Sequence, residues 1–168
     1  MKRFVLWLAG IGLLALWSAL LFIGGWMSGQ SRVMHEIGSP DGSWVARVRA
    51  HAALDPPAQS LWLGPRGGSL SRLARLAEDQ EWCDEVVWSD DGTRVGFLVS
   101  GARLDVYAVP GGRFLGSTTL LPATADPGIR EARRVAFSPD GHSVRFTDCV
   151  RGRANCLGEH ELRLEGGL

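Results

Sequence analysis

Ser-Pro-Asp-Gly at residues 39–42 returns as Ser-Asp-Asp-Gly at 89–92 and again as Ser-Pro-Asp-Gly at 138–141. The three copies begin 50 and then 49 residues apart, a period typical of proteins built from repeated supersecondary units. Proline at the second position presets φ for a tight turn, serine or aspartate caps that turn, and glycine adopts the positive φ that follows. The repeated tetrapeptide therefore predicts three β-hairpins.

Short apolar or alternating runs flank these turns. Residues 86–88 and 135–137 lead into the second and third turns, and comparable runs follow all three turns, at 44–46, 94–97 and 143–146. Runs of this length and composition, joined by tight turns, are typical of paired β-strands.

A second turn recurs in every unit. An apolar strand leads into Gly-Gly at 67–68, 111–112 and 166–167. The first two units then continue into a fourth strand, around Ser69 to Leu76 and Phe114 to Leu120, whereas the third has three strands. We therefore predict about 11 short antiparallel strands, arranged as four, four and three.

An aromatic residue, Trp88 or Phe137, ends the strand before the second and third turns. This combination resembles the TolB-type β-propeller repeat over roughly residues 33 to 168, and the first copy is the least typical. In that family four-stranded blades surround a central axis, and the protein mostly acts as a binding platform, in the periplasm for envelope proteins, or as a gating domain fused to a peptidase. The motif identifies a blade and not a ligand. The resemblance therefore implies structural turn roles only, for Ser39, Asp41, Gly42, Ser89, Asp91, Gly92, Ser138, Asp140 and Gly141.

The predicted fold class is an all-β extracytoplasmic domain, a partial propeller or an open curved sandwich, behind one transmembrane helix. We place the β-repeat domain at 33–168, with blade-like repeats at about 33–82, 83–132 and 133–168.

A closed propeller takes about four to eight blades, so three leave open edges. Three arrangements follow from that shortage. The domain stays open as a monomer, two copies form a homo-oligomer, or another protein completes the ring. In addition, the segment Val33 to Ile37 is a candidate to fill the missing strand of the third repeat.

The N-terminal segment predicts the compartment. Residues 4–27 contain no charged side chain, and 24 residues rising about 1.5 Å each extend roughly 36 Å, enough to cross a bilayer. A cleaved signal peptide would have a shorter apolar region and a small-x-small cleavage site. With Lys2 and Arg3 in a cytoplasmic tip at 1–3 and a linker at 28–32, we predict a single-pass signal anchor in the inner membrane lipid bilayer, with the C-terminal domain in the periplasm.

Charge and motifs argue against several function classes. Eighteen basic residues balance 18 acidic ones, so bulk attraction to nucleic acid is excluded. The chain has no CxxC, HExxH or GxSxG motif, and its four histidines have no ligand at metal-binding spacing. The acids at 78–85 are loop neighbours rather than a facing pair. We therefore expect no catalytic residue, metal or cofactor, and no enzymatic activity.

Three cysteines remain. In an oxidising compartment Cys149 and Cys156 could close a hairpin as a disulfide, the alternative being two reduced and buried thiols. Cys83 is left over, and its acidic neighbours would raise its pKa and disfavour a reactive thiolate.

These patterns predict a non-enzymatic protein-binding or scaffold subunit of the bacterial cell envelope. Trp82, Arg130, Arg133 and Arg134 are the candidate partner-binding residues, because an acidic stretch and an arginine-rich stretch can steer a protein partner or a second copy. One alternative is an extracytoplasmic small-ligand sensor or enzyme subunit that uses the arginine-rich loops. Another is a structural subunit that assembles through a small-residue face of its transmembrane helix, formed by Gly12, Ala15 and Ala19.

Overall fold

A computed structural model describes Ser18 and residues 31–51, 58–77, 81–121 and 130–164. These residues form 11 strands: β1 (Ser31–Gly38), β2 (Trp44–His51), β3 (Ala58–Pro65), β4 (Ser71–Arg75), β5 (Cys83–Trp88), β6 (Arg94–Val99), β7 (Arg103–Ala108), β8 (Phe114–Thr119), β9 (Arg130–Phe137), β10 (Ser143–Val150) and β11 (Cys156–Arg163).

The strands form three antiparallel sheets, which are called the first, second and third sheets in chain order. Their strand orders are β1-β2-β3-β4, β5-β6-β7-β8 and β11-β10-β9. The predicted all-β architecture of 11 strands is confirmed, and it is consistent with part of a propeller. The segment Val33 to Ile37 lies in β1 and pairs with β2, so it belongs to the first sheet and does not complete the third.

The three repeated turns share one set of hydrogen bonds. The serine Oγ donates to the aspartate Oδ1 two residues later, at 2.5, 2.7 and 2.5 Å in the successive copies. The same Oγ accepts a backbone N–H from five residues ahead, at 2.9, 3.0 and 2.9 Å. In the first copy, hydrogen bonds from the side chains of Ser39 and then Ser43 lower the pKa of Asp41 to about 2. Each glycine has a φ near +70°.

Two apolar cores lie between the three sheets. One joins Ala46 and Val48 of the first sheet to Val95 and Phe97 of the second. The other joins the opposite face of the second sheet to the third sheet, through residues that include Leu98. The second sheet is therefore covered on both faces, and β6 is buried at every position from 95 to 99.

The first strands of the sheets lie next to one another. β5 contacts both β1 and β9, as expected of strands that line the inner side of a propeller. Trp88 Nε1 donates to the carbonyl of Ile37 at 3.3 Å, and an Arg94 guanidinium nitrogen donates to the carbonyl of Gly141. The turns and inner strands thereby connect neighbouring sheets.

No helix within the described residues is long and apolar enough to cross a membrane. The predicted transmembrane segment, 4–27, lies outside the described residues except for Ser18. Its small-residue positions Gly12, Ala15 and Ala19 lie outside them as well.

A substitution at Gly92 tests the assignment of the second repeated turn. The φ of Gly92 is +68°, so a Gly92→Val substitution forces a branched side chain into the left-handed region. We expect it to lower the free energy of unfolding by about 1–3 kcal/mol, measured by urea denaturation. Gly92→Asn is the matched control, because asparagine tolerates this conformation. Equal unfolding midpoints for the valine and asparagine variants would contradict the turn assignment.

Candidate functional site

The third sheet has cavities on both sides of its outer strand. β11 pairs with β10 on one side and has no strand on the other among the described residues. On the face turned away from the second sheet lies a cleft of about 390 Å³, here the outer cleft. Between the third and second sheets lies a cavity of about 410 Å³, here the inter-sheet cavity.

Two arginines from neighbouring strands face the outer cleft. Arg134 of β9 and Arg145 of β10 are both exposed, and neither has a carboxylate partner within 4 Å among the described residues. The remaining lining residues are Ala136, Phe146, Thr147, Glu159, His160 and Glu161.

The backbone of Arg134 takes an uncommon conformation. Its φ is +52°, and it lies where β9 bulges against β10, between the pairs Arg145–Ala136 and Thr147–Arg133. The carboxylate of Glu85, on β5 of the second sheet, accepts the N–H of Val135 at 3.3 Å and also bonds the backbone of Arg134. Burial raises the pKa of Glu85, and these backbone hydrogen bonds oppose the shift. The second sheet therefore stabilises the bulge that orients Arg134.

Acidic side chains form the opposite side of the outer cleft. Glu159 and Glu161 alternate with His160 along β11, so both carboxylates lie on the face that carries Arg145. Ser143 Oγ donates a hydrogen bond to Glu161. The cleft thus offers guanidinium donors on one side and carboxylate acceptors on the other.

The inter-sheet cavity contains a buried ion pair. Asp148 of β10 is 1% exposed, and its Oδ1 accepts a hydrogen bond from Arg130 Nε at 3.0 Å. A second Arg130 nitrogen, Nη2, contacts Asp148 Oδ2. His160 Nε2 lies 3.9 Å from the same Oδ2, and its ring stacks on Phe146 with 5.5 Å between the centroids. The other lining residues are Thr119, Leu120, Leu121, Glu161 and Leu162.

The structure separates the four predicted partner-binding residues. Arg134 lies in the outer cleft and Arg130 in the inter-sheet cavity. Arg133 is paired with Glu131, with 2.7 Å between Nε and Oε1. Trp82 lines neither cavity.

Trp82, the residue before β5, contacts one residue of the second sheet and one residue of the turn between β10 and β11. Its Nε1 donates to Asp84 Oδ1 at 2.8 Å, and the guanidinium of Arg151 lies 5.3 Å from its ring centroid.

Sequence reasoning placed Arg145 only in the arginine-rich stretch, read His160 as an exposed residue, and missed Asp148. Asp148 is 18 residues from Arg130 and 12 from His160, and no local motif connects them. The sequence does show which residues of β10 and of β11 share a face, because side chains alternate along a strand. That pattern places residues of the two strands together only when the register between the strands is known.

The cysteines differ in state. Cys149 and Cys156 form a disulfide that joins β10 to β11 across the intervening turn. Cys83 is a buried free thiol, and burial raises its pKa to about 12, with the charge of Asp84 adding to the effect.

The Cys83 thiol should resist alkylation in the folded protein. At pH 8 a thiol with a pKa near 12 is almost entirely protonated, and the thiolate is the reactive form. We expect no incorporation of iodoacetamide in native buffer and one adduct per chain in urea, measured by intact mass. One adduct at the same rate in both conditions would contradict the burial of Cys83.

No group of three or more histidine, cysteine, aspartate or glutamate side chains within the described ranges is arranged to hold a metal ion.

Comparisons with known proteins show similarity at the level of structure. No protein-family model matches the chain, and no curated protein matches it. Three similar solved structures are an oligogalacturonate lyase in complex with manganese, the periplasmic gluconolactonase of Pseudomonas aeruginosa and the acylaminoacyl peptidase of Pyrococcus horikoshii.

All three likenesses are distant and partial. The identities are 16%, 19% and 16%, with TM-scores of 0.48, 0.47 and 0.47. The matches cover 70%, 73% and 71% of this chain but 32%, 35% and 17% of the respective neighbours. The chain therefore spans about a third or less of the neighbours' lengths.

The comparison corrects two expectations. A non-enzymatic protein-binding or scaffold subunit, and the absence of enzymatic activity, were predicted, but the propeller-like neighbours are a lyase, a lactonase and a peptidase. Those two predictions are therefore wrong.

Proposed function

We propose that this protein is a small-ligand-binding domain of the sensor or enzyme type, and that it binds a small anion in the outer cleft. One observation carries the proposal. Arg134 and Arg145 face the same cleft without a carboxylate partner among the described residues, and one of them is held in a left-handed backbone conformation.

Electrostatics explains why this arrangement suits an anion. Two guanidinium groups on one face repel each other unless a negative charge lies between them. A left-handed conformation at a residue other than glycine costs on the order of 1 kcal/mol, and the Glu85 hydrogen bonds offset that cost. Strain retained at one position, with its side chain directed into a cleft, is typical of functional sites.

The composition of the cleft narrows the ligand class. Arginine binds carboxylate or phosphate through paired hydrogen bonds. Glu159 and Glu161 add acceptors on the other side, which favour a ligand that also carries hydroxyl or amino donors. A small hydroxycarboxylate satisfies both requirements.

We also propose that residues 4–27 anchor the chain in the inner membrane and that the β-repeat domain lies in the periplasm. The uncharged 24-residue segment supports the anchor, and the Cys149–Cys156 disulfide supports an oxidising compartment. The three shared turn geometries support assignment of the sheets to TolB-type blades.

Citrate, a hydroxycarboxylate, and inorganic phosphate are suitable probes. We expect citrate to bind the full chain in lipid nanodiscs saturably, measured by isothermal titration calorimetry. Arg134→Gln and Arg145→Gln should each weaken binding about tenfold or more, because each removes a charge-assisted hydrogen bond worth about 1.5–3 kcal/mol.

Arg113→Gln is the matched control, since Arg113 is an exposed arginine between β7 and β8 that lines neither cavity. It should leave citrate affinity unchanged. Citrate affinity that survives in the Arg134→Gln/Arg145→Gln double variant, or no binding of either probe, would contradict the proposed site.

A further inference from the structure

We infer that the inter-sheet cavity is a second binding site, for a neutral polyhydroxylated ligand about the size of a monosaccharide. The inference does not depend on the proposed anion site, because it rests on a different cavity with a different balance of charge.

On the polar side of the cavity, hydrogen-bond donors and acceptors lie next to each other. Asp148 carries two carboxylate oxygens, each of which accepts more than one hydrogen bond, and Arg130 carries five N–H donors. Their mutual contacts use part of this capacity. A pair of neighbouring hydroxyl groups donates and accepts at once, so it can bond the carboxylate and the guanidinium together.

Charge balance favours a neutral ligand here. Arg130 is paired with Asp148, and Glu161 adds a further carboxylate to the lining, so this cavity offers no unpaired cation to an anion. A buried ion pair is seldom needed for stability, since apolar residues of similar volume often serve as well or better. An ion pair that lines an open cavity is therefore available to a ligand.

The other walls are apolar and aromatic. Phe146 and His160 are stacked, and Leu120, Leu121 and Leu162 complete the wall. The C–H face of a sugar ring packs on such surfaces while its hydroxyl groups bond polar residues. A volume of about 410 Å³ is within the usual range for small-ligand pockets.

The test uses the full chain in lipid nanodiscs, because common detergents carry sugar head groups. The probes are D-glucose, D-galactose, D-mannose and myo-inositol, measured by saturation-transfer difference NMR and calorimetry. We expect saturable binding of at least one probe. His160→Ala should weaken it about tenfold by removing the stacked ring.

Asp148 and Arg130 are poor sites for substitution, because removing one partner leaves an uncompensated buried charge. Thr119→Trp avoids that problem, since Thr119 is exposed and lines this cavity alone. Its bulk should block the cavity and abolish sugar binding while citrate binding persists. Arg134→Gln, which lines the outer cleft alone, should leave sugar binding unchanged.

Two outcomes would overturn the inference: no saturable binding of any of the four probes, or sugar binding that persists unchanged in Thr119→Trp. Loss of citrate binding in Arg134→Gln tests only the proposed anion site in the outer cleft. The two proposals are therefore tested independently.

Discussion

Burial of the second sheet on both faces is the constraint on which the rest of the domain depends. Phe97 and Leu98 are neighbours on β6, and each belongs to a different apolar core. Because successive strand residues point to opposite faces, β6 needs an apolar residue or a glycine at every position from 95 to 99, rather than at alternate positions. The first and third sheets pack on the second, so the site on the third sheet is positioned by that packing.

The third sheet shows how this packing positions the proposed site. One of its faces covers the second sheet, and the other carries charged side chains that include Arg145 and Glu161. Glu85 reaches from the second sheet to the bulge at Arg134, so contact between sheets, rather than β9 alone, sets the direction of that arginine.

The two cavities differ in charge although they share part of β11. In the outer cleft neither arginine has a carboxylate within 4 Å in the described part of the chain, whereas in the inter-sheet cavity Arg130 is paired with Asp148. The disulfide between Cys149 and Cys156 ties β11 to β10 near one end, which helps to hold the strand that lines both.

The sequence by itself determined the hairpins, the strand number and the repeat, because each turn depends on contacts between residues two to five positions apart, such as Ser89 with Asp91. Tertiary structure alone decided the two proposed sites. Asp148 meets Arg130 and His160 only after β9, β10 and β11 pair in one register, and the conformation of Arg134 depends on Glu85 in another sheet. Interactions between residues far apart in the chain leave no local pattern, since they arise from strand register and packing.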